Sequence, residues 1–153
     1  MLKKIFVSLG LFTVVVVLGG LYGLLLGNRD RREEFKTLII GTNKFEIEIA
    51  DNALEQAHGL SGRDFLADDR GMLFVFADLS VRSFWMAGMK FPLDIIWIKG
   101  DKVVGFSENL PLASAANVKI YYSPESIDKV LEINAGLVNK LGIRAGDVIG
   151  FDQ

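Results

Sequence analysis

Asp94 is the residue whose chemistry is least expected from its surroundings. It lies in the segment LDIIWI (residues 93–98), which is apolar apart from this one carboxyl group. A carboxylate within such a segment needs a partner or a function, because an unpaired buried charge is costly. Two interpretations are open. Asp94 lines a binding site with a perturbed pKa, or it accepts hydrogen bonds from backbone N–H groups that follow Pro92.

A second polar pair, Glu132 and Asn134, lies in another segment with strand character, on the same face as Val130. Two carboxylates can divide acid and base chemistry when their environments separate their pKa values, so Asp94 and Glu132 form a candidate pair. The spacing does not bring the two together. The simpler interpretations place Glu132 on the surface and make Asn134 the cap of a helix that starts at Ala135.

Trp85 precedes a glycine-containing loop, where an indole can line a pocket and stack on a sugar or on an aromatic group of a peptide. Met86 is next to it. Trp97, by contrast, lies within the apolar segment and is predicted to belong to the core. The candidate ligand-binding residues are therefore Trp85, Met86, Asp94, Glu132 and Asn134.

Several kinds of chemistry are not expected from this sequence. It contains no cysteine, which excludes disulfides, thiol nucleophiles and thiolate metal ligands. His58 is the only histidine, and no Gly-x-Ser-x-Gly segment accompanies it, so a serine hydrolase is not favoured. A copper site made of His58 and methionines is not favoured either, because Met72 lies in an apolar strand pattern and no Met-x-Met cluster is present. We expect no catalytic residue, no metal and no cofactor.

The charge of the chain after its first 32 residues makes nucleic acid an unexpected partner. Five of the 17 basic residues and one of the 19 acidic residues precede Glu33. The remainder carries 12 basic and 18 acidic residues, a formal net charge of −6. Binding to phosphate backbones depends on basic surface, and no basic patch is visible here.

Residues 5–27 form a run of 23 residues without charge. As a helix this run would be about 34 Å long, which is enough to cross a bilayer. It is too long for a signal peptide and lacks a small-x-small cleavage site, so we predict an uncleaved anchor that uses the lipid bilayer as its partner. Gly19, Gly23 and Gly27 share one face of this helix. They favour a homodimer, although glycine is common in membrane helices in general.

The rest of the chain has the pattern of a mainly β domain. Residues 37–40 and 45–49 predict a hairpin around Gly41, and residues 52–58 predict a helix with Asn52 as its N-cap and Gly59 as its stop. Further strands are predicted at 72–76, 81–85, 93–98, 102–106, 117–122 and 129–134, with a helix at 135–141 and a turn and a final strand within 143–151. We predict a small antiparallel β-sandwich or jelly-roll-like barrel with one or two short helices, preceded by a single transmembrane helix.

Several motifs resemble those of the family known as domain of unknown function 192, over roughly residues 44–152. They are GMLFVF at 71–76, FWM at 84–86, PLDII at 92–96, VLEINAG at 130–136, and the pairs at 142–143 and 146–147. The resemblance implies a jelly-roll-like domain and export, and it implies no established activity. The chain departs from the family pattern at Ser61, where methionine is usual, and at residues 87–89, where Lys-Asn-Thr is usual.

These observations predict a cytoplasmic start at residues 1–4, an anchor at 5–27, a linker at 28–35 and a β domain at 36–153. We expect a single-pass membrane protein whose β domain lies on the extracytoplasmic side, although Lys and Arg counts on the two sides of the anchor nearly balance. The β domain is expected to bind a small ligand, a glycan or a peptide. Two alternatives are a glycan-directed hydrolase that uses Asp94 and Glu132, and an assembly protein of a membrane complex.

Overall fold

A computed structural model describes residues 35–114 and 118–152, which belong to the compact unit Glu34–Gln153. The predicted anchor at 5–27, with Gly19, Gly23 and Gly27, lies outside the described residues. Within the described part of the chain, the helices are too short to span a bilayer.

The described residues are mainly β, as predicted, with two short helices. The helices are α1 (Ala53–His58) and α2 (Leu137–Leu141). The strands are β1 (Lys36–Ile40), β2 (Asn43–Ala50), β3 (Arg70–Ser80), β4 (Ser83–Trp85), β5 (Leu93–Lys99), β6 (Lys102–Leu110), β7 (Ile120–Tyr122), β8 (Ile127–Asn134) and β9 (Ile149–Phe151).

In the described part of the chain, seven strands form one sheet in the order β6-β5-β8-β3-β2-β1-β9, while β4 and β7 form a separate ribbon. This differs from the expected antiparallel sandwich, because β2 and β3 pair in parallel. Parallel neighbours need a long crossover connection. Residues 51–69, which include α1, provide it and carry the chain back to the start of the next strand.

The sheet curls into a half-barrel, so that its two edge strands approach each other at one end. Lys102 at the start of β6 bridges to Val148, just before β9. The Val103 N–H donates to the Asp147 carbonyl at 2.9 Å, and the Gly146 N–H donates to the Val103 carbonyl at 2.8 Å. Strands twist with a fixed hand, and this accumulated twist brings distant edges together.

Two local predictions are confirmed by the structure. The β1–β2 hairpin is antiparallel, and Phe45 is buried while Glu46 is exposed. In α1, the Asn52 side chain accepts a hydrogen bond from the Glu55 N–H at 3.1 Å. The helix ends at Gly59, whose φ of 52° is in the region that favours glycine.

The sheet has an apolar core on each face. The first core packs against α2 and the segment that follows it, through Leu137, Val138 and Ile143. The second core lies beneath α1, the loop after it and the β4–β7 ribbon, and it includes Trp97 and Met72. The structure confirms the prediction that these two side chains belong to the core, because Trp97 is 1% exposed and Met72 is 6% exposed.

Candidate functional site

The Asp94 carboxylate is fully buried and accepts two backbone hydrogen bonds. The Asn109 N–H donates to Oδ1 at 2.7 Å, and the Val138 N–H donates to Oδ2 at 2.9 Å. Val138 is in the first turn of α2, whose N-cap is Gly136 and so has no side chain to cap the helix. Asp94 therefore supplies this cap from a strand of the sheet, which is a structural use of a carboxylate.

Asp94 and Glu132 lie on opposite faces of the sheet. Strands β5 and β8 are antiparallel neighbours in which Asp94 is opposite Ile133 and Ile95 is opposite Glu132. Residues directly opposite each other share a face, and successive residues alternate between faces. The hypothesis of a hydrolase that uses these two carboxylates together is therefore wrong, because the sheet separates them.

A cavity of about 290 Å³ opens on the second face of the sheet. This volume is at the lower end of the range for small-molecule sites. The end of α1, strands β3 and β4, and the loop after β4 surround it, while β8 contributes Glu132. Its aromatic and apolar walls are Leu60, Phe74, Phe76, Val81, Phe84, Trp85 and Met89, and its polar side chains are Gln56, His58, Ser61, Arg82, Ser83 and Glu132.

Glu132 is the carboxyl group of this cavity, and it is 5% exposed. Burial raises the pKa of the Glu132 carboxyl to about 8, and no hydrogen bond or neighbouring charge among the described residues contributes to this shift. At neutral pH the group is therefore mainly protonated, and it can both donate and accept a hydrogen bond. The surface position expected for Glu132 is wrong.

Gly59 leaves room above this carboxyl. A Cβ atom at Gly59 would lie 3.2 Å from Cζ of Phe74 and 4.0 Å from Oε2 of Glu132. The glycine that ends α1 thus lets the backbone pass close to the carboxyl without a side chain that would fill the space between them.

Trp85 lies at the edge of the cavity because strand alternation turns it outward. In the ribbon, Trp85 is opposite Ile120, and Trp85 is 53% exposed. The preceding residue, Phe84, points inward. Its ring packs edge-on against Phe74 at 4.9 Å and against Trp97 at 5.8 Å between centroids. The ribbon therefore places one aromatic ring in the core and the next beside the cavity.

Arg82 forms another side of the cavity, and sequence reasoning missed it. Its guanidinium lies 4.0 Å from the centroid of the Phe76 ring. Nη2 donates to the Asp78 carbonyl at 2.7 Å and to Oδ1 of Asp78 at 2.9 Å. This hydrogen bond and the charge of Arg82 lower the pKa of the Asp78 carboxyl. The sequence offered one indication of this ion pair, which is the spacing of four residues between Asp78 and Arg82.

Met86 and Asn134 do not line this cavity. Met86 is 2% exposed and lines a second cavity of about 200 Å³, together with Pro111 and Tyr121. The Asn134 side chain donates to the Leu66 carbonyl at 2.8 Å and to Oδ1 of Asp68 at 3.0 Å. Asn134 thus holds the loop before β3, and the predicted capping role is wrong because α2 begins later, after Gly136.

The two departures from the family pattern meet beside the cavity. The Ser61 hydroxyl donates to the Ala87 carbonyl at 3.1 Å, and the Gly62 N–H donates to the Gly88 carbonyl at 2.9 Å. A Cβ atom at Gly88 would lie only 2.2 Å from Oγ of Ser61. A side chain at Gly88 would require the Ser61 hydroxyl to move, so the departures at 61 and 87–89 form one local unit.

The fold and the site define a small half-barrel domain with an aromatic cavity on one face of its sheet. The model of DUF192, a family described as "Uncharacterized ACR", matches residues 36–151. The chain belongs to this family, as its motifs indicated.

Two of the solved structures that are similar to the chain are each 30% identical to it. One, from Sinorhizobium meliloti 1021, is described as a candidate transcription regulator; it has a TM-score of 0.69, and the match covers 76% of this chain and 92% of that one. The other, from Novosphingobium aromaticivorans DSM 12444, is described as a protein of unknown function; it has a TM-score of 0.72 and coverages of 80% and 89%. No curated protein matches the chain significantly.

Proposed function

We propose that this domain is a binding module for a small ligand, which it holds in the cavity between α1 and β4. The observation that carries the proposal is the Glu132 carboxyl, which is 5% exposed, lies in the wall of that cavity and has its pKa raised by burial to about 8. A ligand that binds there can pair with this carboxyl, which is one of the few polar groups among aromatic walls.

Binding is favoured over two-carboxylate catalysis because Glu132 has no second acid on its side of the sheet at β5. The aromatic side chains of Phe84 and Trp85 provide apolar area, and the few polar groups provide orientation, which is the usual composition of a ligand site. One relative is described as a candidate transcription regulator, but we do not propose that role for this chain. Residues 33–153 of this chain carry a formal net charge of −6, which disfavours contact with nucleic acid.

The test is a thermal-shift screen of the full chain in dodecyl maltoside against small polar compounds and cell-wall fragments. We expect some ligands to raise the melting temperature of the wild type. The same ligands should not raise the melting temperature of Trp85→Ala or Glu132→Gln. Phe65→Ala is the matched control, because Phe65 is 77% exposed and does not line the cavity. Ligands that stabilise all variants equally, or an absence of ligands from a broad library, would contradict the proposal.

We also propose that residues 5–27 tether this module to a membrane as a single-pass anchor, with the domain on the extracytoplasmic side. The uncharged run of 23 residues supports the tether, and the resemblance to exported relatives supports the side. The full chain should remain in the membrane fraction after alkaline extraction, and added protease should degrade the domain in spheroplasts. Release by alkali would exclude the tether, and protection from protease would exclude the proposed side.

The glycines at 19, 23 and 27 further support a dimer of the tether. Crosslinking of the wild type should give a dimer that Gly19→Ile and Gly23→Ile abolish. An unchanged yield of dimer in both variants would show that this glycine face does not mediate association.

A further inference from the structure

We propose that the ligand of this cavity carries an ammonium group, and that the Glu132 carboxylate is its counter-ion within the aromatic walls. The inference rests on the proposed function, and it adds the chemical class of the ligand: a small organic cation, free or as the head group of a lipid.

The walls of the cavity suit a cation. Aromatic faces attract positive charge through their quadrupole, and tryptophan is the strongest of them. Phe76 already holds one cation, because the Arg82 guanidinium lies 4.0 Å from its ring centroid. Phe84 and Trp85 line the same cavity, and Trp85 is 53% exposed.

The carboxyl group completes this site. Glu132 accepts no hydrogen bond from the described residues, so both of its oxygens are available to the N–H or C–H groups of a bound ammonium. A cation bound beside Glu132 would stabilise the ionised carboxylate and offset the burial that now raises its pKa. Binding should therefore release a proton whenever Glu132 is protonated in the free protein.

Two other side chains of the cavity, Arg82 and His58, can carry positive charge, and neither pairs with the Glu132 carboxyl. Arg82 is paired with Asp78 at 2.9 Å, and His58 lies at the exposed end of α1. Neither of them contributes to the pKa shift of Glu132, so within residues 35–114 and 118–152 the carboxyl has no cation as a partner. The volume of about 290 Å³ fits a compact head group better than a long chain.

A matched pair of probes tests the charge alone. Choline and 3,3-dimethylbutan-1-ol have nearly the same shape, but only choline is a cation. Calorimetric titrations of the full chain in dodecyl maltoside should show tighter binding of choline. Its affinity should rise about tenfold per pH unit from pH 6 to about 8, where Glu132 becomes ionised, and then level off. The alcohol should bind weakly and without this pH dependence.

Three variants identify the group that is responsible. Glu132→Gln should abolish the pH dependence and weaken choline binding at pH 8.5 by at least about tenfold, because a desolvated charge pair is lost. His58→Gln should retain the pH dependence, and so should Glu108→Gln, whose site is an exposed position of β6. A pH dependence that survives in Glu132→Gln would overturn the assignment.

The outcomes separate this inference from the proposed function. Equal affinities for choline and its uncharged analogue would overturn the ammonium proposal but leave a binding site for neutral ligands. A lack of binding by both probes and by the whole screening library would overturn both proposals. Where choline binds, competition with dihexanoyl phosphatidylcholine distinguishes the sources: displacement indicates a lipid head group, and its absence indicates a free cation.

Discussion

Replacing Glu132 by glutamine should make the fold more stable at neutral and alkaline pH. Burial raises the pKa of the Glu132 carboxyl from 4.5 to about 8 in the folded state. Between these two values the unfolded chain loses the proton while the folded chain keeps it. The free energy of unfolding therefore falls as the pH rises through this window, and the loss is complete above about pH 8.

The expected magnitude follows from this difference in pKa. One pKa unit corresponds to about 1.4 kcal/mol, so wild type should lose about 3 kcal/mol between pH 4.5 and 7 through this group alone. The loss should reach about 5 kcal/mol above pH 8. Glutamine has nearly the same shape and does not ionise, so Glu132→Gln should lack this dependence.

Urea unfolding at pH values from 4.5 to 8.5 measures this difference, with Trp97 as a buried fluorescent reporter. The pKa values of Asp64, Asp78 and Asp128 are lowered from 3.8. These groups are thus largely ionised in both states over this range, and they affect wild type and variant alike. Glu108→Gln, at an exposed position, should follow the wild type. Parallel curves for wild type and Glu132→Gln would refute a protonated carboxyl in the folded cavity.

Two further substitutions test how the structure holds its loops. Asp94→Ala should lower the free energy of unfolding by roughly 2–5 kcal/mol because it leaves two backbone N–H groups, one of them buried, without acceptors, whereas the exposed Asp101→Ala should change it by less than about 0.5 kcal/mol. Gly88→Ala should lower the melting temperature more than Gly62→Ala. Both have positive φ, but only the first would place a Cβ atom against Ser61. Equal losses of stability in Asp94→Ala and Asp101→Ala would contradict the role of the Asp94 hydrogen bonds. Equal losses in Gly88→Ala and Gly62→Ala would contradict the close contact between position 88 and Ser61.

Local patterns in the sequence predicted the elements whose causes are local. The β1–β2 hairpin follows from alternating apolar residues around a turn, and α1 follows from Asn52, Glu55 and Gly59 at the spacing that caps a short helix. Trp97 was assigned to the core because its neighbours are apolar. Each of these predictions depends on residues within about one turn or one strand of each other.

The parallel pairing of β2 with β3 was not predictable in this way, because the strand patterns do not state which strands are neighbours. The same limit applies to Asp94, whose partners Asn109 and Val138 are 15 and 44 residues away. Arg82 was missed for a related reason: its contact with the Phe76 ring depends on how the chain turns between β3 and β4.

The sequence by itself determined that this is a mainly β domain with one or two short helices and a member of its family, and that an uncharged run lies at residues 5–27. Periodicity and turn chemistry are short-range properties, so they can be read along the chain. Only the tertiary structure decided that Asp94 caps a helix on one face of the sheet while Glu132 faces an aromatic cavity on the other. Register between distant strands sets these positions, and it depends on packing across the whole sheet.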